Sequence, residues 1–338
     1  MSSLNYITIT DFKTISGKTL QPVLSYQHFG RALDEGPIVL VIHALTGNSN
    51  VTGEDGWWND IIGEDKVIDT NHFSVLAINI PGNNYADKDT TFEHYKDIIA
   101  EDIAHLFSIA LNKLGISSLF AIIGGSVGGG IAWELAALRP NLTDYLIPIA
   151  TDWKSTDWIV ANCYIQERIL EHSVNPLADA RLHAMTFYRT PESLTQKFNR
   201  TTANSSLFNV ESWLDHHGKK LEDRFKLESY KIMNQILKTV DITKGEESFV
   251  DVARNISGHI HIITINSDLF FKPEENWTTY VELKSVKENV TIGEIKSIHG
   301  HDAFLMEFSQ LEKLLKPIFK QDNVIDKHTS INTKATNF

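Results

Sequence analysis

The stretch "LFAIIGGSVGGGIAWELA", residues 119–136, joins an apolar strand pattern to a helical pattern through a glycine-rich turn that contains one serine. The apolar residues before the turn are typical of a buried strand, and Ile131 and Leu135 after it lie on one face of a helix. Residues 124–128 match the pattern G-x-S-x-G, in which a sharp strand-to-helix turn exposes a serine as a nucleophile. Ser126 is therefore a candidate nucleophile.

The same glycines could instead form a phosphate-binding loop or a purely structural turn. A P-loop requires Lys-Ser or Lys-Thr after its glycines, and a dinucleotide-binding loop requires G-x-G-x-x-G. Neither pattern occurs in this stretch. The structural turn stays open as an alternative to the nucleophile.

Strand and helix patterns along the rest of the chain predict an α/β fold. Six apolar runs predict strands, at 38–44, 73–80, 119–125, 145–150, 259–268 and 290–297. Continuous apolar runs are typical of parallel strands that are covered on both faces. Helical patterns dominate between the fourth and fifth of these strands. The prediction is an open, mostly parallel sheet flanked by helices.

The domain organisation follows from the same patterns. We expect an α/β core formed by residues 1–151 and 244–320, with a helical lid inserted at 152–243. Residues 302–319 predict one last helix of the core. The polar, aperiodic residues 321–338 predict a flexible tail.

Composition excludes several classes of function. The chain has 338 residues, 42% of them hydrophobic, and a formal net charge of −12, which argues against non-specific binding to nucleic acid or to anionic membranes. Neither a secretory signal nor a run of membrane-spanning length occurs, so we expect a cytoplasmic protein. His259, His261, His216 and His217 have no third ligand at a characteristic spacing, so no metal site is predicted.

A serine nucleophile requires a base and a carboxylate that orients the base, in the order Ser, Asp or Glu, His on this fold. Asp268 follows one late predicted strand, and His299 and His301 follow the next. The negative oxygen formed during attack requires N–H donors. One is the amide of Val127, directly after the serine, and the other belongs to the loop in "VIHALTGNSN", residues 41–50. His43 in that loop precedes the serine and is interpreted as structural.

Several segments together resemble the homoserine O-acetyltransferase family of the α/β-hydrolase superfamily. They include "HALTGNSN" (43–50), "GGSVGG" (124–129), "ARLHAMTFYRTPESLTQKFNR" (180–200), "NSDLFF" (266–271) and "HGHDAFL" (299–305). The resemblance implies an α/β-hydrolase core with a helical lid and a homodimer joined through the lids. It implies transfer of an acetyl group from acetyl-CoA to the hydroxyl of L-homoserine through an acyl-serine, a step towards methionine. No cofactor is implied besides acetyl-CoA as co-substrate.

The resemblance also assigns individual roles. It makes Ser126, Asp268 and His301 the catalytic triad, and it makes the backbone N–H groups of Leu45 and Val127 the oxyanion hole.

Two further residues would bind homoserine by this resemblance. Arg189 would hold its carboxylate and Asp302 its amine, because a zwitterion requires one cation and one anion. Arg189 could alternatively form a lid salt bridge. Asp302 could alternatively be the N-cap of the helix that follows it.

Two positions depart from the family pattern. Val127 replaces the usual methionine, and residues 79–95, "NIPGNNYADKDTTFEHY", replace a glycine-rich stretch that shapes the route to the nucleophile. The departure leaves open a different donor or acceptor, such as succinyl-CoA or serine. It also leaves open a serine esterase or thioesterase, and a non-catalytic binding module that has this fold.

Overall fold

The structure is a computed structural model that describes residues 3–86, 92, 94–245 and 248–320. An eight-stranded sheet forms its centre, in the order β1-β2-β4-β3-β5-β6-β7-β8. The strands are β1 (Asn5–Thr8), β2 (Val23–Gly30), β3 (Ile38–Ile42), β4 (Ser74–Ile78), β5 (Leu119–Gly125), β6 (Thr143–Ile149), β7 (His259–Ile265) and β8 (Val290–Ile295). β1 and β2 run antiparallel to their neighbours, and β3 to β8 are mutually parallel.

The six predicted strands are all present, with ends that differ from the prediction by up to three residues. β1 and β2 were not predicted, because polar residues interrupt their apolar pattern, including Ser25 and Gln27, which are buried in β2. The predicted α/β-hydrolase fold is confirmed.

Helices cover the sheet and form the lid. The α-helices are α1 (Ala100–Lys113), α2 (Val127–Leu138), α3 (Asp157–His172), α4 (Pro176–Tyr188), α5 (Pro191–Phe198), α6 (Asn209–Glu222), α7 (Leu227–Lys238), α8 (Phe249–Ala253), α9 (Pro273–Lys284) and α10 (Phe308–Leu315). Short 3-10 helices lie at Tyr95–Asp97 and Gly300–Leu305. Two-residue or three-residue strands pair as Phe12–Lys13 with Thr19–Leu20, Ile62–Gly63 with Ile68–Asp69, and Thr202–Asn204 with Leu207–Phe208. No helix in the described part of the chain is both long and apolar enough to cross a membrane.

The continuous apolar runs reflect two hydrophobic cores, one on each face of the sheet. In β3, Leu40 and Ile42 belong to the core beneath α1 and α2, whereas Val39 and Val41 belong to the core beneath α10. Successive side chains of a strand point to opposite faces, so a strand covered on both sides must be apolar throughout. Each such buried side chain contributes about 1.5–3 kcal/mol to folding.

The lid consists of α3 to α7 and is inserted between β6 and β7. Its two ends lie side by side, because Ser155 N donates to Val240 O at 2.8 Å and Ile242 N donates to Trp153 O at 3.3 Å. The lid is therefore attached to the core by a narrow, hydrogen-bonded neck. The insertion also contains the short strand pair at Thr202–Asn204 and Leu207–Phe208, which was not predicted.

The chain after β8 differs from the prediction of one helix over residues 302–319. A 3-10 helix, Gly300–Leu305, precedes α10, and its N-cap is His299. Asp302 lies inside the 3-10 helix, so the interpretation of Asp302 as a helix N-cap is wrong. Two short helices satisfy the apolar spacing as well as one long helix, so the spacing alone does not locate the break.

The predicted tail, residues 321–338, lies completely outside the described residues. Of the segment at 79–95, which departs from the family pattern, residues 87–91 and 93 also lie outside them.

Candidate active site

Ser126 occupies a strained turn between β5 and α2. Its backbone has φ 56° and ψ −128°, a conformation that non-glycine residues rarely adopt, and its side chain is almost completely buried. The turn brings α2 against the end of β3. A Cβ atom on Gly128 would lie 2.3 Å from Ile42 O and 2.6 Å from His43 O, so only glycine fits this position. The glycines therefore provide clearance around the serine.

The side chains of Ser126, His301 and Asp268 form a continuous hydrogen-bonded chain. Ser126 Oγ lies 2.9 Å from His301 Nε2, and His301 Nδ1 lies 2.7 Å from Asp268 Oδ2. The amides of Phe270 and Phe271 donate to Asp268 Oδ1 at 2.7 and 3.0 Å. Because a carboxylate only accepts, Nδ1 of His301 carries the proton and Nε2 accepts from the serine hydroxyl. The arrangement can remove the serine proton.

Sheet topology explains how residues so distant in sequence meet. Ser126 follows β5, Asp268 follows β7 and His301 follows β8, so all three lie at the carboxyl edge of parallel strands. The turn before His301 contains Gly300 at φ 70°, where a Cβ atom would lie 2.8 Å from Tyr188 O. The end of the lid helix α4 thus packs directly on the loop that carries the histidine.

Aromatic rings enclose His301. Their centroids lie 5.4 to 5.8 Å from the imidazole, and they belong to Tyr188, Phe270, Phe271 and Phe304. Burial disfavours the charged imidazole. The negative charge of Asp268, its hydrogen bond and the charge of Asp302 outweigh this effect, so the pKa of His301 is raised above the ordinary 6.5.

The backbone N–H groups of Leu45 and Val127 form no hydrogen bond with any described residue, which leaves both able to donate to an oxyanion. His43 shapes the loop that contains Leu45. Its Nδ1 donates to Ala44 O at 2.8 Å, and its Nε2 accepts from Ile80 N at 2.9 Å. Burial lowers the pKa of His43 to about 4, so its imidazole is neutral at pH 7. The role of His43 is structural.

Arg189 and His299 contact each other. Arg189 Nη2 donates to Ser193 Oγ at 2.6 Å and lies 2.9 Å from His299 Nδ1. Arg189 Nε is buried and has no partner among the described residues. Arg189 thus links α5 of the lid to the loop that carries His301. Its role as a homoserine ligand stays a prediction.

Arg181 is a site residue that sequence reasoning missed. Burial raises the pKa of Asp302, and the charge that opposes this increase most strongly is that of Arg181, followed by His301 and Arg189. Arg181 Cζ lies 5.6 Å from the centroid of the Tyr188 ring, which in turn lies 5.4 Å from the His301 ring. Arg181 and Tyr188 are seven residues apart, two helical turns, and therefore share one face of α4.

Candidate metal ligands do not cluster in the described part of the chain, where no group of three or more His, Cys, Asp or Glu could hold an ion. His259 Nε2 and His261 Nδ1 each lie 2.7 Å from the Thr291 hydroxyl. Burial raises the pKa of the Cys163 thiol to about 12, so this thiol is protonated at pH 7 and is a poor nucleophile.

Comparison with known proteins agrees with this architecture. A family model described as the alpha/beta hydrolase fold matches residues 37–292. The homoserine O-acetyltransferase of Methanococcus vannielii is 31% identical over 93% of this chain and 73% of its own length, and that of Moorella thermoacetica is 29% identical over 88% and 90%.

Two solved structures share the fold at less than 20% identity. Homoserine O-acetyltransferase from Bacillus anthracis has a TM-score of 0.83 and 19% identity over 95% of this chain and 98% of its own. Esterase E22 has a TM-score of 0.85 and 17% identity over 95% of this chain and 100% of its own. The structural likenesses show the fold alone, and sequence identity shows the family. The chain belongs to the homoserine O-acetyltransferase family, acyltransferases with the α/β-hydrolase fold.

Proposed function

We propose that this protein transfers an acetyl group from acetyl-CoA to the hydroxyl of L-homoserine through an acyl intermediate on Ser126. The observation that carries the proposal is the buried hydrogen-bonded chain Ser126–His301–Asp268. The family of its relatives supports the choice of substrates. The cytoplasmic localisation and the homodimer joined through the lids stay predictions.

The first half of the reaction forms the acyl-enzyme. His301 Nε2 takes the hydroxyl proton as Ser126 Oγ attacks the thioester carbonyl, and Asp268 stabilises the resulting imidazolium. The amides of Leu45 and Val127 donate to the oxyanion. When the intermediate collapses, the C–S bond breaks and His301 returns its proton to the departing thiolate. An ester on Ser126 remains.

The second half transfers the acyl group. His301 takes the proton of the homoserine hydroxyl, whose oxygen attacks the ester carbonyl, and Ser126 leaves with that proton. Asp302 would accept the homoserine ammonium. Arg181 is the favoured partner of the homoserine carboxylate, because its guanidinium lies against Tyr188, whose ring packs on His301, and because its charge opposes the raised pKa of Asp302. Arg189 is a second candidate for this role, because its Nε is buried without a partner among the described residues.

Water exclusion favours transfer over hydrolysis at this site. Ser126 is 4% exposed and His301 3% exposed, and four aromatic rings surround the imidazole. An acyl-enzyme in such surroundings is protected from water until an acceptor binds. The site chemistry itself is shared with hydrolases, since an ester on serine reacts with any hydroxyl that reaches it.

The test is a matrix of donors and acceptors. Acetyl-CoA and succinyl-CoA are each combined with homoserine, serine and water, and free thiol and acylated product are measured. We expect thiol release from acetyl-CoA to depend on homoserine beyond the first turnover. Steady release that is independent of any amino acid would identify a thioesterase and contradict the proposal.

The pH dependence of acyl-enzyme formation should respond to Asp302. Asp302 raises the pKa of His301, and only neutral His301 can act as the base, so the rate falls as pH decreases through that pKa. Asp302→Asn removes the charge, lowers the pKa of His301 and is expected to move the acid limb of the profile to lower pH. The formation rate from acetyl-CoA alone is the measurement, since this step needs no acceptor.

Asp302→Glu retains the charge and should keep the acid limb near its original position. If the acid limb of the pH profile stays in place in Asp302→Asn, or moves to higher pH, Asp302 does not raise the pKa of His301.

A further inference from the structure

Arg224 of the lid contacts the loop that contains Leu45, and the reaction described above does not use this contact. Arg224 follows α6, and its Nη1 donates to Thr46 O at 2.8 Å, while its Nη2 donates to Thr46 Oγ1 at 3.3 Å. Within the described residues, Arg224 forms no ion pair, and no other group donates to Thr46 O. The guanidinium is therefore directed at the residue that follows Leu45.

One hydrogen bond within the loop connects Thr46 O to the N–H of Leu45. Gly47 N donates to Ala44 O at 2.8 Å and so closes a turn. Thr46 O and Gly47 N belong to the same peptide unit. Ala44 O and Leu45 N belong to the same peptide unit as well. Because a peptide unit is planar, fixing its C=O also fixes the direction of its N–H. Arg224 thus acts on Leu45 N–H through two peptide units in series.

The core, rather than the lid, fixes the neighbouring carbonyl groups of this loop. His43 Nδ1 donates to Ala44 O at 2.8 Å, and Asn83 Nδ2 donates to Gly47 O at 3.4 Å. Both of these side chains are buried, whereas Arg224 is exposed. Removal of the Arg224 side chain should therefore release Thr46 O while the core contacts keep the loop folded.

We propose that Arg224 is a positioning residue that orients and polarises the Leu45 N–H, so that the lid completes the oxyanion hole of the core. A hydrogen bond from a charged donor is stronger than one between neutral groups, and hydrogen bonds in a chain strengthen one another. The charge next to Thr46 O makes Gly47 N–H a stronger donor, and this bond in turn makes Leu45 N–H a stronger donor. The inference rests on the proposed function in one respect, the role of Leu45 N–H.

The two half-reactions distinguish this role from binding of the acceptor carboxylate. Both pass through an oxyanion in the same hole, so a positioning residue affects both, whereas a ligand of homoserine affects only the second. Arg224→Met removes the donors and is expected to lower the rates of acyl-enzyme formation and of transfer to homoserine by the same factor. We expect roughly tenfold, less than the loss of about 10²–10³-fold on removing an oxyanion donor outright. Rapid mixing measures each rate.

A loss confined to transfer to homoserine would make Arg224 an acceptor ligand and overturn the inference. Arg224→Lys retains the charge and N–H donors without the planar guanidinium, and it should recover part of the lost rate in both half-reactions. The matched control is Arg168→Met. It removes an arginine of α3 that pairs with Glu171 on the same helix, and it should leave both rates unchanged.

Two further measurements exclude a merely structural role. With p-nitrophenyl acetate, Arg224→Met should lower kcat roughly tenfold and leave KM unchanged, because the oxyanion forms only during reaction. A trifluoromethyl ketone forms a tetrahedral adduct on Ser126 with an oxyanion, and its affinity should fall by about the same factor. The thermal unfolding midpoint should stay unchanged.

Unchanged affinity for the ketone in Arg224→Met would overturn the inference, as would a loss of rate that is accompanied by a lower unfolding midpoint. The ester and the ketone need neither CoA nor homoserine. A protein that never acetylates homoserine but shows the expected losses with both reagents would therefore refute the proposed function and leave this inference standing.

Discussion

Ser126→Ala is expected to lower kcat for acetyl transfer by about 10⁴–10⁶-fold, the loss typical of removing a nucleophile that acts within a triad. The buried Ser126 hydroxyl is the only protein group that the proposed reaction acylates, and His301 Nε2 lies 2.9 Å from its oxygen. Incubation of the unmodified protein with acetyl-CoA alone should leave one acetyl group on the peptide that contains Ser126. Mass spectrometry of the intact protein and of its peptides measures this adduct.

Two controls test the interpretation. Ser285→Ala alters an exposed serine after α9 and should change neither the adduct nor the rate. The double variant Ser126→Ala/His301→Ala should be about as inactive as either single variant, because the two residues act as one unit. Transfer to homoserine at the normal rate with no adduct on Ser126 would refute the acyl-enzyme scheme.

The second large effect is expected at Arg181. Arg181→Ala should lower kcat/KM for homoserine by roughly 100-fold or more, because removal of one partner of an enclosed charge pair costs about 2–5 kcal/mol. Formation of the acyl-enzyme from acetyl-CoA should change only a few-fold, since this step involves no carboxylate to be held. Rapid-mixing measurement of each half-reaction provides the comparison.

Arg189 is the matched position, an arginine at the end of the same helix. Arg189→Ala should also weaken the use of homoserine more than acyl-enzyme formation if its guanidinium binds the acceptor carboxylate, but less strongly than Arg181→Ala. Equal losses in both half-reactions of Arg189→Ala would instead assign Arg189 to positioning of the His301 loop through His299 and Ser193. Arg181→Lys retains the positive charge but lacks the planar guanidinium. Its kcat/KM for homoserine should lie between those of the original protein and Arg181→Ala.

The sequence by itself predicted the fold and the nucleophile, because both depend on local patterns. A strand with both faces buried is apolar throughout, and the turn at Ser126 requires small residues next to the serine. Gly128 lies against two backbone carbonyl oxygens, which leave no room for a side chain. The sequence shows this requirement as a glycine two residues after the serine. The order of Ser126 and Asp268 along the chain followed from the same strand pattern. The choice of His301 over His299 required the family resemblance in addition.

Tertiary structure decided which side chains meet. His299 and His301 lie two residues apart in one loop, yet one contacts Arg189 and the other contacts Ser126. Arg181 was overlooked because the effect of its charge on Asp302 depends on how α4 packs on the loop after β8. The break that places Asp302 inside a 3-10 helix depends on the same packing. Periodicity in a sequence reports which face of one element is buried, whereas the contact between two distant elements exists only once both are packed.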